Sequence, residues 1–182
     1  WNDGSHYEGE WKDDKRHGYG IMINEKGVRY EGYWQWGKHH GHGKYFSSAH
    51  DFEGEFVNGK RHGYGITRFK GGNVYEGPYE NDKRHGKAVY TASNGDRLIC
   101  TFVNGELVGE GERYYADGGI YKGPLDNKGR PHGIGVWELP DGSCYEGEHR
   151  DGDRHGKGVL ILPDGTRQEG RFEKDQYVGA EE

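Results

Sequence analysis

Polar and apolar positions along the chain recur as one unit. Tyr-Glu-Gly begins at Tyr7 and returns, intact or by position, at Tyr30, Phe52, Tyr75, Leu98, Tyr121, Tyr145 and Gln168, at spacings of 23, 22, 23, 23, 23, 24 and 23. A second motif, His-Gly-x-Gly, follows ten or eleven residues later each time, starting at His17, His40, His62, His85, Val108, His132, His155 and Val178. Eight repeats therefore fill residues 1–182 as one array with no linker. Between the two motifs stand pairs such as Asn58-Gly59 and Asn104-Gly105, the strongest short-range hairpin signal. Between repeats stands x-Asp-Gly, as in Pro140-Asp141-Gly142, which fits a three-residue loop with a left-handed glycine.

Folding each repeat at its turn gives a register. It pairs Glu55 with His62, Gly54 with Gly63 and Phe52 with Gly65, and likewise Glu10 with His17 and Tyr7 with Gly20. The loops between repeats then pair Gly135 with Gly147, Trp137 with Tyr145 and Gly20 with Gly32. A band of glycines crosses the sheet, flanked by Tyr7, Trp11, Tyr30, Trp34, Phe52, Phe56, Tyr75 and Tyr79. Missing side chains leave room for a ring to lie across the strand. Glu8, Glu10, His17 and Tyr19 fall on the other, wet face. The expected fold is all-β: an elongated, twisted, single-layer meander of consecutive hairpins, rod-shaped, at most about 75 Å long for strands ~4.8 Å apart.

Composition sharpens the picture. Only 30% of residues are hydrophobic, 31% are charged and the mean hydropathy is −1.17, values that read as disorder. Yet aromatics reach 14% and glycines number 35, with no collagen period. A thin core of rings beside bare backbone reconciles the two. No apolar run approaches a membrane span; the longest is Val159-Leu160-Ile161-Leu162. Two cysteines, Cys100 and Cys144, make no disulfide framework, and a reducing compartment is the plain reading. A net charge of −6 disfavours nucleic acid as a partner. There is no charged leader, and Trp1-Asn2-Asp3-Gly4-Ser5 matches Leu139-Pro140-Asp141-Gly142-Ser143. Trp1 is thus expected to be the tail of a preceding repeat, with upstream repeats missing from this sequence.

Tyr-Glu-Gly-Glu-Trp, an Asn-Gly-type turn, Lys-Arg-His-Gly-x-Gly and a closing Asp-Gly resemble the MORN repeat over residues 1 to 182. The resemblance implies twisted hairpin arrays without catalysis of their own, most like the near-pure repeat arrays of protist cytoskeletal scaffolds. It also implies links to phosphoinositides and to self-association, neither of which follows from periodicity. The pattern breaks at Leu98-Ile99-Cys100, where Cys100 takes a glycine position, and again at Gln168 and Val178.

Three sets of residues are candidates for function. Val159, Leu160, Ile161 and Leu162 read as buried on both faces, and with Phe172, Tyr177 and Val178 they form the expected interface of an antiparallel tail-to-tail homodimer. Lys15, Arg16, Lys38, Lys60, Arg61, Lys83 and Arg84 form a basic edge suited to anionic phosphoinositide headgroups. His40 and His42 stand at chelating spacing on one strand. Cys144 lies in another repeat, so zinc would be shared between two chains at the dimer contact, and no cofactor is otherwise required. Enzyme motifs are absent, and a one-layer sheet offers no dry pocket for acid–base chemistry. The expected function is a non-catalytic scaffold that self-associates and links cytoskeletal or membrane-proximal partners, in the cytoplasm on the cytoskeleton. The alternative is a recruitment module for anionic membrane.

Overall fold

The computed structural model describes residues 4–180, which leaves the Trp1 expectation outside the described residues. The described residues form seventeen strands and no helix. The chain divides into two compact units, residues 1–88 and 89–182.

In the first unit β1 (His6–Lys12), β2 (Lys15–Ile23), β3 (Arg29–Gln35), β4 (Lys38–Phe46), β5 (His50–Val57), β6 (Lys60–Phe69), β7 (Val74–Glu80) and β8 (Lys83–Arg84) follow one another, each antiparallel to the next. β9 (Gly86–Thr91) runs over the division. The second unit repeats the plan with β10 (Arg97–Val103), β11 (Glu106–Tyr114), β12 (Ile120–Pro124), β13 (Gly133–Glu138), β14 (Cys144–Arg150), β15 (Asp153–Ile161), β16 (Arg167–Glu173) and β17 (Gln176–Gly179).

The turns obey their sequences. Asn58 and Gly59 take φ of 52° and 86°, the two left-handed residues of a type I′ hairpin turn. The loop between β13 and β14 closes through the Leu139 N–H on the Ser143 carbonyl, 2.8 Å. Across these loops the register is as expected: Gly135 opposite Gly147, Trp137 opposite Tyr145, Gly20 opposite Gly32.

Within each hairpin the register needs a correction. Phe56 faces Arg61 and Val57 faces Lys60, but Gly54 faces Gly65 and Phe52 faces Thr67. One residue, Glu55, therefore stands opposite His62, Gly63 and Tyr64, an extended β-bulge. Gly63 sits in it at φ 63°, which a side chain would disfavour. The same shift falls between Gly9 and Trp11, Gly32 and Trp34, and Gly147 and His149. The His-Gly motif thus encodes a bulge, and Glu10 does not pair with His17. Instead the Glu10 carboxylate accepts the Tyr19 N–H at 3.0 Å, and Glu148 accepts that of Lys157 at 3.1 Å. In the fifth hairpin, where glutamate and histidine are replaced, Thr101 and Val108 do face each other.

The bulge explains why the glycines come in pairs. It brings Gly9 opposite Gly20, and the ring of Tyr7 lies over Gly20. Tyr30 covers Gly43, Phe52 covers Gly65, Tyr121 covers Gly135 and Tyr145 covers Gly158 in the same manner. Each tyrosine hydroxyl ends on the carbonyl three residues on: Tyr7 on Glu10 (2.9 Å), Tyr30 on Tyr33 (2.9 Å), Tyr75 on Pro78 (2.9 Å), Tyr121 on Pro124 (2.8 Å) and Tyr145 on Glu148 (3.0 Å). Tyr30, Trp34, Phe52, Phe56, Tyr75, Tyr79, Tyr121 and Tyr145 are all buried, and neighbouring rings meet edge to face, as Tyr30 and Phe56 do at 5.3 Å. Ala88 and Cys100 take glycine positions as small buried fillers.

Candidate functional site

The sheet offers a ring face, an opposite outer face and the turn ends of its strands. The basic edge lies at the turn ends, and its residues part company. Lys15, Lys38, Lys60 and Lys83 are exposed, while Arg16, Arg61 and Arg84 are half-buried. The arginines turn inward over the rings. Arg16 lies 4.2 Å from the centre of Trp34 and 5.8 Å from Tyr7, Arg61 4.7 Å from Tyr79 and 5.6 Å from Phe52, and Arg84 5.7 Å from Tyr75. Arg154 repeats this over Tyr145 and Phe172. Each such arginine stacks on its own repeat's first ring, and Arg16, Arg61 and Arg154 reach the next repeat's second ring as well.

Arg16, Arg61 and Arg154 also bind the next turn, Arg16 by donating to the Gly37 carbonyl (3.1 Å). Arg61 donates to Asp82 Oδ1 (3.2 Å) and to the Asp82 carbonyl (3.1 Å), and Arg154 donates to the same atoms of Asp175. Sequence reasoning missed these links. For the two to aspartate the signal was present: an arginine before His-Gly and an aspartate 21 residues on.

Histidines occupy two positions in the ring pile that the motif gives to other residues. His39 takes the arginine position of the second hairpin and lies flat on Tyr30, at 3.6 Å and 8°. His149 takes the second-ring position, edge-on to Tyr145 at 5.1 Å. Burial pushes His39 down to about 4, aided by the Arg16 charge, and burial lowers His149 as well. A histidine whose folded value lies below its unfolded 6.5 stabilises fully above pH 6.5 and loses that contribution as pH falls towards 4. Stability should drop by up to about 3 kcal/mol from His39 over that window and level off below it. Urea unfolding across pH 4 to 7 should show a shallower slope for His39→Arg; identical slopes would refute the assignment.

The metal candidates are not brought together as a site. Gly41 between His40 and His42 is left-handed, φ 64°, so the alternation expected to put both histidines on one face is interrupted. Burial pushes the Cys144 thiol up, reinforced by Glu146 and Glu138. Among the described residues no group of three or more His, Cys, Asp or Glu is placed to hold a metal.

The expected dimer residues divide between faces. Val159 sits opposite Glu146 and Glu169, and Ile161 opposite Cys144 and Arg167, on the outer face. Leu160 sits opposite Tyr145 and Gln168 on the ring face. All four residues of the run are half-buried in the chain itself, because a single layer covers only one side. Phe172 is 1% exposed, packed at 4.8 Å on Tyr145; it is core and offers no surface. Tyr177 and Val178 on β17 are exposed. Ile134, 75% exposed, and Val136 lie on the outer face beside Glu146 and Val159, and sequence reasoning had not singled them out.

On the ring face of the first unit an open groove of about 400 Å³ is lined by Met22, Val28, Tyr30, Trp34 and Tyr45, with Arg16, Lys38 and His39.

Among the solved structures to which the fold is similar are two TCP domains. One is the TCP10 domain of Danio rerio CPAP in complex with a peptide of Danio rerio STIL, at TM-score 0.53 and 12% identity, covering 92% of this chain and 74% of that one. The other is the SAS-4 (dCPAP) TCP domain of Drosophila melanogaster with a proline-rich motif of Ana2 (dSTIL), at TM-score 0.51 and 13% identity, covering 86% and 85%. Identity at this level speaks for the fold alone. Among curated proteins none matches the chain. The model of the MORN repeat matches residues 7–29, 30–50, 52–74, 75–97, 101–120, 127–144 and 145–167. It passes over Leu98-Ile99-Cys100 and residues 121–126 and stops before the eighth hairpin; the first and last of these are where the motif breaks. With seven matched segments over most of its length, the chain belongs to the MORN repeat family.

Proposed function

We propose that this protein is a non-catalytic scaffold that pairs with a second copy of itself, tail to tail, and links other proteins of the cytoplasm and cytoskeleton. MORN repeats suggest a scaffold or binding role, and the family is generally non-catalytic. Both similar structures are complexes with a segment of a partner protein, which supports protein partners here. The observation that carries the reading is a set of aliphatic side chains on the outer face of the second unit, Ile134 and Val136 exposed and Val159 and Ile161 half-buried, with Glu146 between Val136 and Val159. Aliphatic side chains on the uncovered side of one layer have no core to join. A two-fold copy presenting the same patch buries both at once. Solution mass by light scattering should read twice 20.7 kDa, and Ile134→Glu with Val159→Glu should return it to the single mass. A chelator arm tests zinc shared through His40, His42 or Cys144. A monomer under every condition would refute the pairing.

A second reading, recruitment to anionic phosphoinositide membrane, draws on Lys15, Lys38, Lys60 and Lys83, exposed in register at successive turns. Its mark would be vesicle binding that salt abolishes.

A further inference from the structure

The groove of the first unit lies where the second hairpin departs from the arginine that the first, third and fourth hairpins carry. In the first, third, fourth and seventh hairpins the residue before His-Gly is Arg16, Arg61, Arg84 or Arg154, and its guanidinium covers the rings. In the second hairpin His39 lies flat on Tyr30 and edge-on to Phe56 at 5.5 Å. The shorter imidazole makes the same ring contacts and does not reach outward. What it leaves open is the groove of about 400 Å³, a volume within the range of ligand sites.

Charge restricts the occupant. Among the described residues no carboxylate lines the groove, although the chain carries a net −6. Arg61 and Arg154 each spend their charge on an aspartate. Arg16 instead donates to the neutral Gly37 carbonyl at 3.1 Å and to the Met22 sulfur and rests on Trp34, and among the described residues it pairs with no carboxylate. Asp82, whose charge reaches His39, is held by Arg61. Lys38 stands exposed at the rim. The groove therefore has two cations that no carboxylate among the described residues neutralises, beside a half-exposed apolar lining of Met22, Val28 and Tyr45.

The geometry points to a docking site for an extended peptide segment that carries a carboxylate next to an apolar side chain. The apolar group rests on Val28 and Tyr45, and the carboxylate lies between Arg16 and Lys38. An open groove on a sheet favours an extended chain over an enclosed small molecule. This inference deepens the protein-binding reading and rests on it.

The test uses the chain as it stands and three fluorescein-labelled peptides, alternating leucine with aspartate, asparagine or lysine, read by anisotropy. The aspartate peptide should bind at least tenfold tighter than the asparagine peptide. Lys38→Glu should weaken it about tenfold. His39→Arg, which places there the residue used in the first, third, fourth and seventh hairpins, should fill the groove and weaken binding similarly with no loss of thermal midpoint. Lys83→Glu, the same position two hairpins on, should leave binding within twofold. Equal binding of the aspartate and asparagine peptides, or no effect of His39→Arg, would overturn the proposal. So would phosphatidylserine vesicles bound through Lys38 with no peptide binding, which would pass the groove to the membrane reading. Light scattering on the same samples separates the failures: a persisting dimer without peptide binding sinks the groove alone, and peptide binding by a monomer sinks the pairing alone.

Discussion

Tyr145→Ala is expected to destabilise the second unit by about 3–5 kcal/mol, the usual loss for a buried aromatic truncated to alanine. Tyr145 has no exposed surface. Its ring covers Gly147 and Gly158, and meets Phe172 at 4.8 Å and His149 at 5.1 Å. The glycines beneath have no side chains with which to close the gap, and a single layer has no second sheet to collapse into the space. Burial also drives the phenol up to about 12, and its hydroxyl donates to the Glu148 carbonyl at the bulge. Tyr145→Phe should cost only about 1 kcal/mol, the net value of one hydrogen bond; the third repeat already carries Phe52 in this position. Urea unfolding followed by aromatic circular dichroism separates the two. A Tyr145→Ala loss below that of Tyr145→Phe would refute the ring-over-glycine account.

Gly135→Val should be nearly as damaging, about 3 kcal/mol or more, from overpacking together with lost ring contacts. A Cβ at Gly135 would stand 2.5 Å from the Tyr121 hydroxyl and 2.7 Å from two of its ring carbons. Tyr121 has no exposed surface, and its hydroxyl is tied to Pro124, so the ring has nowhere to go. Alanine should be milder, because Ala88 shows that a repeat can take one methyl at the equivalent place while Tyr75 keeps its bond to Pro78. Thermal midpoints of the glycine, alanine and valine forms should fall in that order. A valine form as stable as the native chain would contradict the packing.

The period of 22 to 24 residues and the Asn-Gly turns were legible in the sequence, because glycine spacing and turn chemistry are local constraints that each residue carries with it. They determined the all-β hairpin array, the loops between repeats and the band of glycines under rings. The bulge was not legible. The register drawn from Asn58-Gly59 holds for Val57 and Phe56 and then slips, because Gly63 turns left-handed and a bulge is chosen by the pairing of two strands. Tertiary structure alone decided the fate of the charged residues. A lysine and an arginine look alike as a basic edge, yet Lys60 stays in water and Arg61 lies on Tyr79 and binds Asp82. A planar guanidinium stacks and bonds in a fork, which an ammonium cannot do. The same packing split Val159 and Ile161 from Leu160, made Phe172 core, and opened a groove where His39 is too short to cover it. Periodicity fixes which residues recur, but which of them remain free for a partner depends on what each meets across the next strand.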